Sequence, residues 1–255
     1  VPQEGIIDYN AVMQKMVELI NENNGKISYK TYVKSVNELN SNKVTLCFNN
    51  QEQAFDYLIS STGLWSDKTY TNLTNKKALL RIVPFRGEYW KFKHEFEDHV
   101  NHLVYPVPDN RFPFLGIHFT RTINGTREVG PNAVLALKRE GYERSSFDLK
   151  EAVESVTYPG LWRFVKKNLS FSINELQSSL FIKNFINKAQ KLIPDINPSM
   201  LEFSPSGVRA QAISLEGNLL MDFNIVRQGR QIHVLNAPSP GATASLAISS
   251  YIIKN

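Results

Sequence analysis

The chain begins with the apolar periodicity of a helix and continues with short alternating segments. After Asp8, apolar residues recur at intervals of three and four positions until Gly25 ends the pattern. We therefore predict one amphipathic helix with Asp8 as its N-cap. Alternating runs bounded by Asn-rich turns predict three strands next, at residues 27–33, 43–48 and 55–61.

The middle of the chain is predicted to form an antiparallel sheet and then a block of helices. Turn signals such as Pro108-Asp109-Asn110 separate β-rich stretches. A helical pattern covers residues 146–193, with an interruption at Pro159-Gly160. The predicted strands of this part lie at 81–92, 102–107, 114–119 and 127–129.

The last part of the chain returns to strands and ends in a helix. Strands are predicted at 208–213, 219–225 and 231–235, and a helix from Gly241 to Ile253. A β-rich insert between two halves of an α/β unit predicts a two-domain α/β (α+β) protein. We assign residues 1–80 and 196–255 to one domain and 81–195 to the other.

Composition and charge narrow the class of protein. The chain has 255 residues, 42% of them hydrophobic and 21% charged, which is typical of a globular protein rather than a disordered one. The net charge is +5, with Lys and Arg scattered and not interleaved with aromatic residues, so nucleic-acid binding is the weakest hypothesis. No apolar run reaches the ~20 residues of a membrane span, and no signal peptide is visible. We expect a cytoplasmic protein.

Short motifs of high specificity are absent from the sequence. The 13 glycines form no G-x-G-x-x-G and no P-loop, and there is no H-E-x-x-H, calcium loop or G-x-S-x-G elbow. Cys47 is the only cysteine, which excludes a disulfide within the chain and a cysteine-based metal site. We therefore predict no metal centre.

Polar residues in Gly- and Pro-rich surroundings are the remaining candidates. Ser61-Thr62-Gly63 follows a predicted strand, where small residues let a ligand approach the backbone, although an ordinary strand-to-helix turn is the better local explanation. The small-residue loop 236–245 leads into a helix start, whose N–H groups and dipole favour a ligand. His233 lies in an apolar run, where a buried structural histidine is the default.

Six stretches taken together resemble L-2-hydroxyglutarate oxidases and dehydrogenases, flavoproteins of the D-amino-acid-oxidase-like superfamily. They occur in order over practically the whole chain, which makes the resemblance more specific than any single motif. The stretches are Val83-Pro84-Phe85-Arg86-Gly87-Glu88-Tyr89, Tyr105 to Asp109, Arg111 to Thr120, Gly130 to Tyr142, Gly207 to Ala212, and His233 to Ser245.

The resemblance implies a Rossmann-like domain that binds FAD and an antiparallel-sheet domain that covers a small dicarboxylate substrate. It implies hydride transfer from C2 of L-2-hydroxyglutarate to the flavin, which yields 2-oxoglutarate, with electrons passing on to oxygen or a quinone pool. A quinone acceptor would bring the protein into peripheral contact with the inner membrane.

The resemblance also implies roles for individual residues. Arg86, Lys138 and Arg209 are the cations expected near the substrate carboxylates, with Tyr105 and Asn236 as hydrogen-bonding partners. The base is His233 or His118, and His233 is preferred because it abuts the flavin-facing loop. The implied FAD contacts are Val33, Ser61, Thr62, Gly63, Gly207, Pro238, Ser239, Pro240, Gly241, Ala242 and Thr243.

One departure from the family concerns the dinucleotide. Family members carry about a domain of additional chain before the position of Val1, and that part holds the G-x-G-x-x-G turn. We therefore expect this chain to be the C-terminal part of such a protein, with an incomplete Rossmann-like domain. The alternatives are a non-catalytic fragment that needs a separate N-terminal half, and a related flavoenzyme acting on an amino or glycerol-phosphate-type substrate.

Overall fold

The structure is a computed structural model that describes residues 5–37, 42–107 and 116–254. Its first helix, α1 (Tyr9–Glu22), confirms the predicted amphipathic helix. The Asp8 carboxylate accepts hydrogen bonds from the backbone N–H groups of Asn10 at 2.9 Å and Ala11 at 3.3 Å, as an N-cap does. The predicted turn at 108–110 and the start of the predicted strand at 114–119 lie outside the described residues.

The first strand lies later in the chain than predicted, whereas the second matches its predicted range of 43–48. The third predicted range, 55–61, contains a shorter strand at 58–60, and an additional strand precedes it. Tyr29 and Lys30 form a turn with φ of 53° at Lys30, a left-handed conformation that excludes a strand over residues 27–33. Asn49 and Asn50 form the expected turn. The strands are β1 (Val33–Asn37), β2 (Val44–Phe48) and β3 (Gln51–Phe55), which form one antiparallel sheet, followed by β4 (Leu58–Ser60).

The remaining elements follow the predicted order with two exceptions. Residues 102–107 form only an isolated bridge at Val104, and the strand predicted at 219–225 lies at 224–228. A 3₁₀ turn at Gly63–Trp65 leads to α2 (Ser66–Thr74), β5 (Leu80–Phe92), a 3₁₀ turn at His94–His99, β6 (His118–Arg121), β7 (Arg127–Gly130) and β8 (Val134–Leu135). Four helices come next: α3 (Leu149–Val156), α4 (Pro159–Lys167), α5 (Leu169–Leu180) and α6 (Ile182–Ala189). A 3₁₀ turn at Pro198–Met200 precedes β9 (Leu201–Ser214), β10 (Asn224–Gln228), β11 (Gln231–Asn236) and α7 (Ser245–Lys254). Within the described residues no helix combines the length and apolarity needed to cross a membrane.

A long antiparallel pair forms the centre of the largest sheet. β9 pairs with β5 from Leu80–Ser214 to Phe92–Leu201, and the other edge of β5 is shared by β8 and β7. The expected antiparallel sheet is therefore present. Since β9 belongs to it, the strand pairing joins residues 201–214 to the predicted insert 81–195, and the predicted domain limits stay a prediction.

In a smaller sheet, two strands end at turns that were predicted to contact the cofactor. β11 pairs antiparallel with β10 and parallel with β4. Parallel strands end at the same edge of a sheet, so the segments after Ser60 and after Asn236 leave from one edge. This edge is where an α/β sheet binds ligands.

Helices cover the large sheet at two places. Phe185 of α6 is buried with Phe92 and Phe119 of the sheet, and Phe164 of α4 is buried with Val83 and Ile213. The helical block therefore lies against β5 and β9 and can form a wall above them.

A buried ion pair connects α2 to the loop after β8. Arg139 donates to both carboxylate oxygens of Asp67, at 2.7 and 3.0 Å, and to the carbonyl of Leu64. Asp67 also accepts the backbone N–H of Ile82 at 3.1 Å. Since both charged side chains are almost completely buried, each depends on the other for compensation.

We predict that Asp67→Asn destabilises the protein by about 3–5 kcal/mol, because it leaves the Arg139 guanidinium buried without a counter-charge. The neighbouring pair of Lys68 and Glu154 is more exposed, so Glu154→Gln should cost at most about 1 kcal/mol. Urea unfolding of both variants measures the difference. Equal losses in the two would contradict the assigned importance of the buried pair.

Candidate functional site

A cavity of about 1100 Å³ lies between the large sheet and the helical block. Its floor is formed by alternate residues of β5, namely Phe85, Gly87 and Tyr89, and by residues 207–211 of β9. The opposite wall comes from residues 167–175 and from α6 and its C-terminal end. The loop after β11 closes a third side, so the cavity meets the edge at which β4 and β11 end.

Arg209 and Tyr89 are the ionisable side chains of the cavity floor. Burial lowers the pKa of Arg209 from its ordinary value, and its electrostatic interaction with Tyr89 opposes that shift. Burial raises the pKa of Tyr89, Glu128 adds to the rise and Arg209 opposes it. At neutral pH this leaves a cationic Arg209 beside a neutral Tyr89 hydroxyl, a pair suited to an anionic ligand.

His118 lies at another side of the cavity, and one of its ring nitrogens is already hydrogen-bonded to the backbone. Its Nδ1 lies 2.9 Å from the carbonyl oxygen of Gly116. Because a carbonyl only accepts, Nδ1 carries the proton and Nε2 has the free lone pair. The ring lies over Tyr105, with centroids 4.9 Å apart. Burial lowers the pKa of His118, although the Gly116 hydrogen bond partly offsets it, so the imidazole is neutral at pH 7.

The loop after β11 provides backbone and small side chains to the cavity. Pro238, Ser239 and Gly241 line it, and so does Asn236, whose amide donates to the carbonyls of Leu220 at 3.2 Å and Asp222 at 2.8 Å. Both amide protons of Asn236 are thus used, which holds the side chain still.

Gly207 leaves open space in the cavity floor. A Cβ built on it would meet no atom within 4 Å, and Gly207 lines the cavity. By contrast, a Cβ on Gly87 would lie 2.9 Å from Pro131. The floor is therefore close-packed on one strand and open on the other, which makes a cradle that a flat ring could fill.

The lining of the cavity is strongly basic. It contains four Lys or Arg side chains and one acidic side chain, Glu175. Glu175 is itself neutralised, since it binds Lys188 Nζ at 2.7 Å and accepts the backbone N–H of Ala133 at 2.9 Å. The basic residues are Lys167, Lys188, Lys191 and Arg209. Such a cavity favours an anion.

Four of the predicted substrate and base residues do not line the cavity, and one of them, Tyr105, lies against the His118 ring at its side. His233 is 1% exposed, with Nε2 3.2 Å from Gln231 Oε1 and its ring packed edge-on against Tyr70. Arg86 binds Glu88 at 2.9 Å, and Lys138 is exposed on a turn. Their predicted roles stay predictions, but the geometry favours His118 over His233 as the base and Arg209 over the other two cations.

The predicted FAD contacts separate into two groups. Gly207, Pro238, Ser239 and Gly241 line the cavity. The remainder lie outside it, on the turn after β4, on β1 and in the rest of the loop after β11. These are Val33, Ser61, Thr62, Gly63, Pro240, Ala242 and Thr243.

A buried carboxylate behind the cavity floor was missed by the sequence analysis. Glu88 is fully buried, and its oxygens accept hydrogen bonds from Arg86 at 2.9 Å, Asn132 at 2.9 Å, Arg144 at 3.1 Å and Ser179 at 2.7 Å. It thereby joins β5 to the loop before β8 and to α5. Its signal in the sequence is a charged pair, Arg86 and Glu88, inside a strand whose other central residues are mostly apolar. The helical wall, including Asn168 and Asn174, was also missed, since its polar residues look like an ordinary helix surface.

Comparison with known proteins gives a consistent match. The family model described as FAD dependent oxidoreductase (DAO) matches residues 1–254. Two curated relatives are named L-2-hydroxyglutarate dehydrogenase: one from Indibacter alkaliphilus, 43% identical over 99% of this chain, and one from Escherichia coli K12, 39% identical over 99%. The chain spans 63% and 60% of their lengths.

A solved structure shares the fold. The FAD-bound L-α-glycerophosphate oxidase of Mycoplasma pneumoniae superposes with a TM-score of 0.64 over 94% of this chain and 53% of its own, at 17% identity. At that identity the likeness concerns the fold alone. It supports the expected Rossmann-like flavin fold.

The Glu88 cluster predicts a pH dependence of stability. Burial alone would raise the Glu88 pKa, but hydrogen bonds from Asn132, Ser179 and Arg86 and the charge of Arg144 outweigh it, so the pKa is below 4.5. A lowered folded-state pKa stabilises the fold at pH above 4.5, and this contribution is lost as the pH falls through the folded-state value. Glu88→Gln should therefore be less stable at pH 7 and lose less on acidification. Denaturant unfolding between pH 7 and pH 3 measures both, and an unchanged acid slope would contradict the assignment.

Proposed function

We propose, because this chain belongs to the family of FAD dependent oxidoreductases, that it forms the substrate side of a flavoenzyme that oxidises L-2-hydroxyglutarate to 2-oxoglutarate. The observation that carries the proposal is the basic cavity beside the open floor at Gly207. The names of the two relatives support the choice of substrate. A dianion is also the ligand that this lining attracts.

The cofactor fits the arrangement of the residues. Gly207, Pro238, Ser239 and Gly241 would hold the flavin ring, since they give backbone and open space on one side of the cavity. When bound, FAD accepts the hydride that leaves C2 of the substrate. The turns after β4 and β11 leave from one sheet edge and would hold the rest of the dinucleotide.

Arg209 is our candidate for the carboxylate next to the reacting carbon. It is the basic side chain of the cavity floor, on the same strand as Gly207 and two residues away, so both point to the same face. Tyr89 lies beside it as a neutral hydroxyl donor. The lysines of the opposite wall would balance the second carboxylate of a dicarboxylate substrate.

His118 is our candidate for the base. As the hydride leaves C2, the hydroxyl proton has to leave too, and the neutral Nε2 of His118 would accept it. The hydrogen bond from Nδ1 to Gly116 and the contact with Tyr105 hold the ring in one orientation. Two histidines are therefore candidates for the base, His118 in the cavity and His233 in the core, and a kinetic test separates them.

We infer that the pyrophosphate-binding turn of the enzyme lies outside these 255 residues. The sequence contains no G-x-G-x-x-G, and the chain spans about 60% of the length of the relatives named above. The turn would come from a segment in the same polypeptide or from a separate N-terminal half. The 255-residue chain alone is expected to hold FAD weakly.

The flavin cradle predicts an effect of one glycine. With the pyrophosphate-binding segment supplied, Gly207→Leu should lower the FAD content, because the side chain enters the open floor of the cavity. Gly5→Leu is the control, since a Cβ there also meets no atom within 4 Å but lies outside this cavity. Flavin absorbance per mole of protein is the measurement. Full FAD content in Gly207→Leu would contradict the proposal that the open floor at Gly207 holds the flavin ring.

Substitution of His118 and of His233 should have different effects, the first on kcat and the second on stability. His118→Ala should lower kcat per bound flavin by about 10²–10⁴-fold, because it removes the proton acceptor. His233→Ala should lower stability but leave kcat per bound flavin close to normal, since His233 is buried in the core. In the unchanged protein, activity should fall only below the lowered pKa of His118, beneath 6.5. The opposite outcome, with kcat lost only in His233→Ala, would make His233 the base.

A further inference from the structure

The lysines in the helical wall of the cavity differ in how their charges are compensated. Lys188 Nζ lies 2.7 Å from Glu175 Oε1, and both side chains are largely buried. The other carboxylate oxygen of Glu175 accepts the backbone N–H of Ala133 at 2.9 Å. A ligand could use Lys188 only by displacing Glu175, which would leave a largely buried carboxylate without its cation. The charge of Lys188 is therefore used by the protein itself.

Lys167, at the end of α4, is also held by the protein. Its Nζ donates to the carbonyl of Glu216 at 2.9 Å and to Asn218 Oδ1 at 2.8 Å. Hydrogen bonds from Ser214 and from its own backbone lower the pKa of the Glu216 carboxyl, and nearby charges of α4, Lys167 included, lower it further. The turn after β9 thus fixes the Lys167 ammonium and supplies a negative charge beside it.

Lys191 is the wall lysine whose charge is left over. Within the described residues its side chain forms neither a hydrogen bond nor an ion pair, and it is exposed in the cavity lining. Its backbone is fixed, since its N–H donates to the carbonyl of Lys188 at 3.3 Å and the nearby Ile193 packs against the buried cluster that contains Ile117. Ile117 and His118 border the same cavity. The position of Lys191 is thus set, while its ammonium is available to a ligand.

We propose that Lys191 binds the distal carboxylate of the substrate and so selects dicarboxylic 2-hydroxy acids over monocarboxylic ones. The inference rests on the proposed function, in which Arg209 on the floor binds the carboxylate next to the reacting carbon. Arg209 and Lys191 come from different sides of the cavity, the first from β9 and the second from the chain just after α6. A ligand with a carboxylate at each end matches this arrangement, whereas a monocarboxylate leaves Lys191 without a partner.

The kind of discrimination follows from the chemistry of lysine. A lysine ammonium on its flexible stem acts as a point charge and imposes no planar geometry on its partner. Lys191 should therefore discriminate by the charge of the distal group more than by its exact position. Since Lys191 is open to solvent, its contribution should be moderate and should weaken as salt is added. A ligand with a cationic distal group should be rejected.

Binding of unreactive analogues to the purified full chain tests the proposal. Glutarate has the same two carboxylates as L-2-hydroxyglutarate but no hydroxyl to oxidise, so its binding does not depend on turnover. In calorimetry, Lys191→Met should weaken glutarate binding about tenfold or more and leave butyrate binding unchanged. Lys183→Met is the matched control, because Lys183 is an exposed lysine of α6 outside the cavity lining. Circular dichroism checks that each variant is folded.

Charge reversal separates a contact with the ligand from a role in folding. Lys191→Glu should invert the preference of the protein, so that 5-aminovalerate, which ends in an ammonium group, binds more tightly than glutarate. Lys191→Arg should retain glutarate, because it keeps the positive charge. If Lys191→Glu lowered the affinity for both ligands alike, the role of Lys191 would be structural and the proposal would be overturned.

The same variants distinguish this inference from the proposed reaction. With the pyrophosphate-binding segment supplied, Lys191→Met should raise KM for L-2-hydroxyglutarate about tenfold and change KM for L-2-hydroxyvalerate by less than about twofold. If glutarate binds in a Lys191-dependent manner but L-2-hydroxyglutarate does not reduce the flavin, the proposed reaction is wrong and the role of Lys191 stands. Unaltered glutarate affinity and KM in Lys191→Met, or no glutarate binding by the unchanged protein, would overturn the role of Lys191.

Discussion

The register between β5 and β9 is the constraint on which the candidate site depends. It sets Gly87 opposite Gly207 and Phe85 opposite Arg209, and a bulge follows before Tyr89. Because side chains alternate along a strand, Phe85, Gly87 and Tyr89 reach the cavity together, while Arg86 and Glu88 turn to the other face. A shift of one residue would exchange these two sets. The open floor, the basic floor residue and the buried carboxylate are thus consequences of one pairing.

Glu88 connects that pairing to the opposite wall. A carboxylate with no exposure has to be compensated inside the protein, and here the compensation comes from the loop before β8, from Arg144 and from Ser179 of α5. Glu175 makes a similar connection, from α5 to Ala133 and Lys188. The helical wall is therefore held to the sheet by paired charges, of which Glu175 and Lys188 lie in the cavity lining. Arg209 and the lysines outside these pairs are left to interact with a ligand.

Local signals predicted the fold better than the site. The N-cap at Asp8 and the turn at Asn49–Asn50 are determined by residues that are neighbours in the sequence. Both predictions are confirmed. The contrast between Lys138 and Arg139 shows the limit. Adjacent basic residues look alike in the sequence, yet Arg139 is buried on Asp67 from a distant helix and Lys138 is exposed. His233 adjoins the expected flavin loop in sequence, but its position on β11 directs the side chain into the core. Such outcomes depend on pairing between segments far apart in the chain.

The most direct test of the account is anaerobic reduction of the flavin that is bound when the pyrophosphate-binding segment is supplied. L-2-hydroxyglutarate should reduce it and yield 2-oxoglutarate, whereas L-2-hydroxyvalerate, which lacks the second carboxylate, should need a much higher concentration. Arg209→Met should raise the concentration of L-2-hydroxyglutarate required, because it removes a carboxylate partner present before the reaction. Equal reduction by the two acids, or no change in Arg209→Met, would contradict a cavity built for a dicarboxylate.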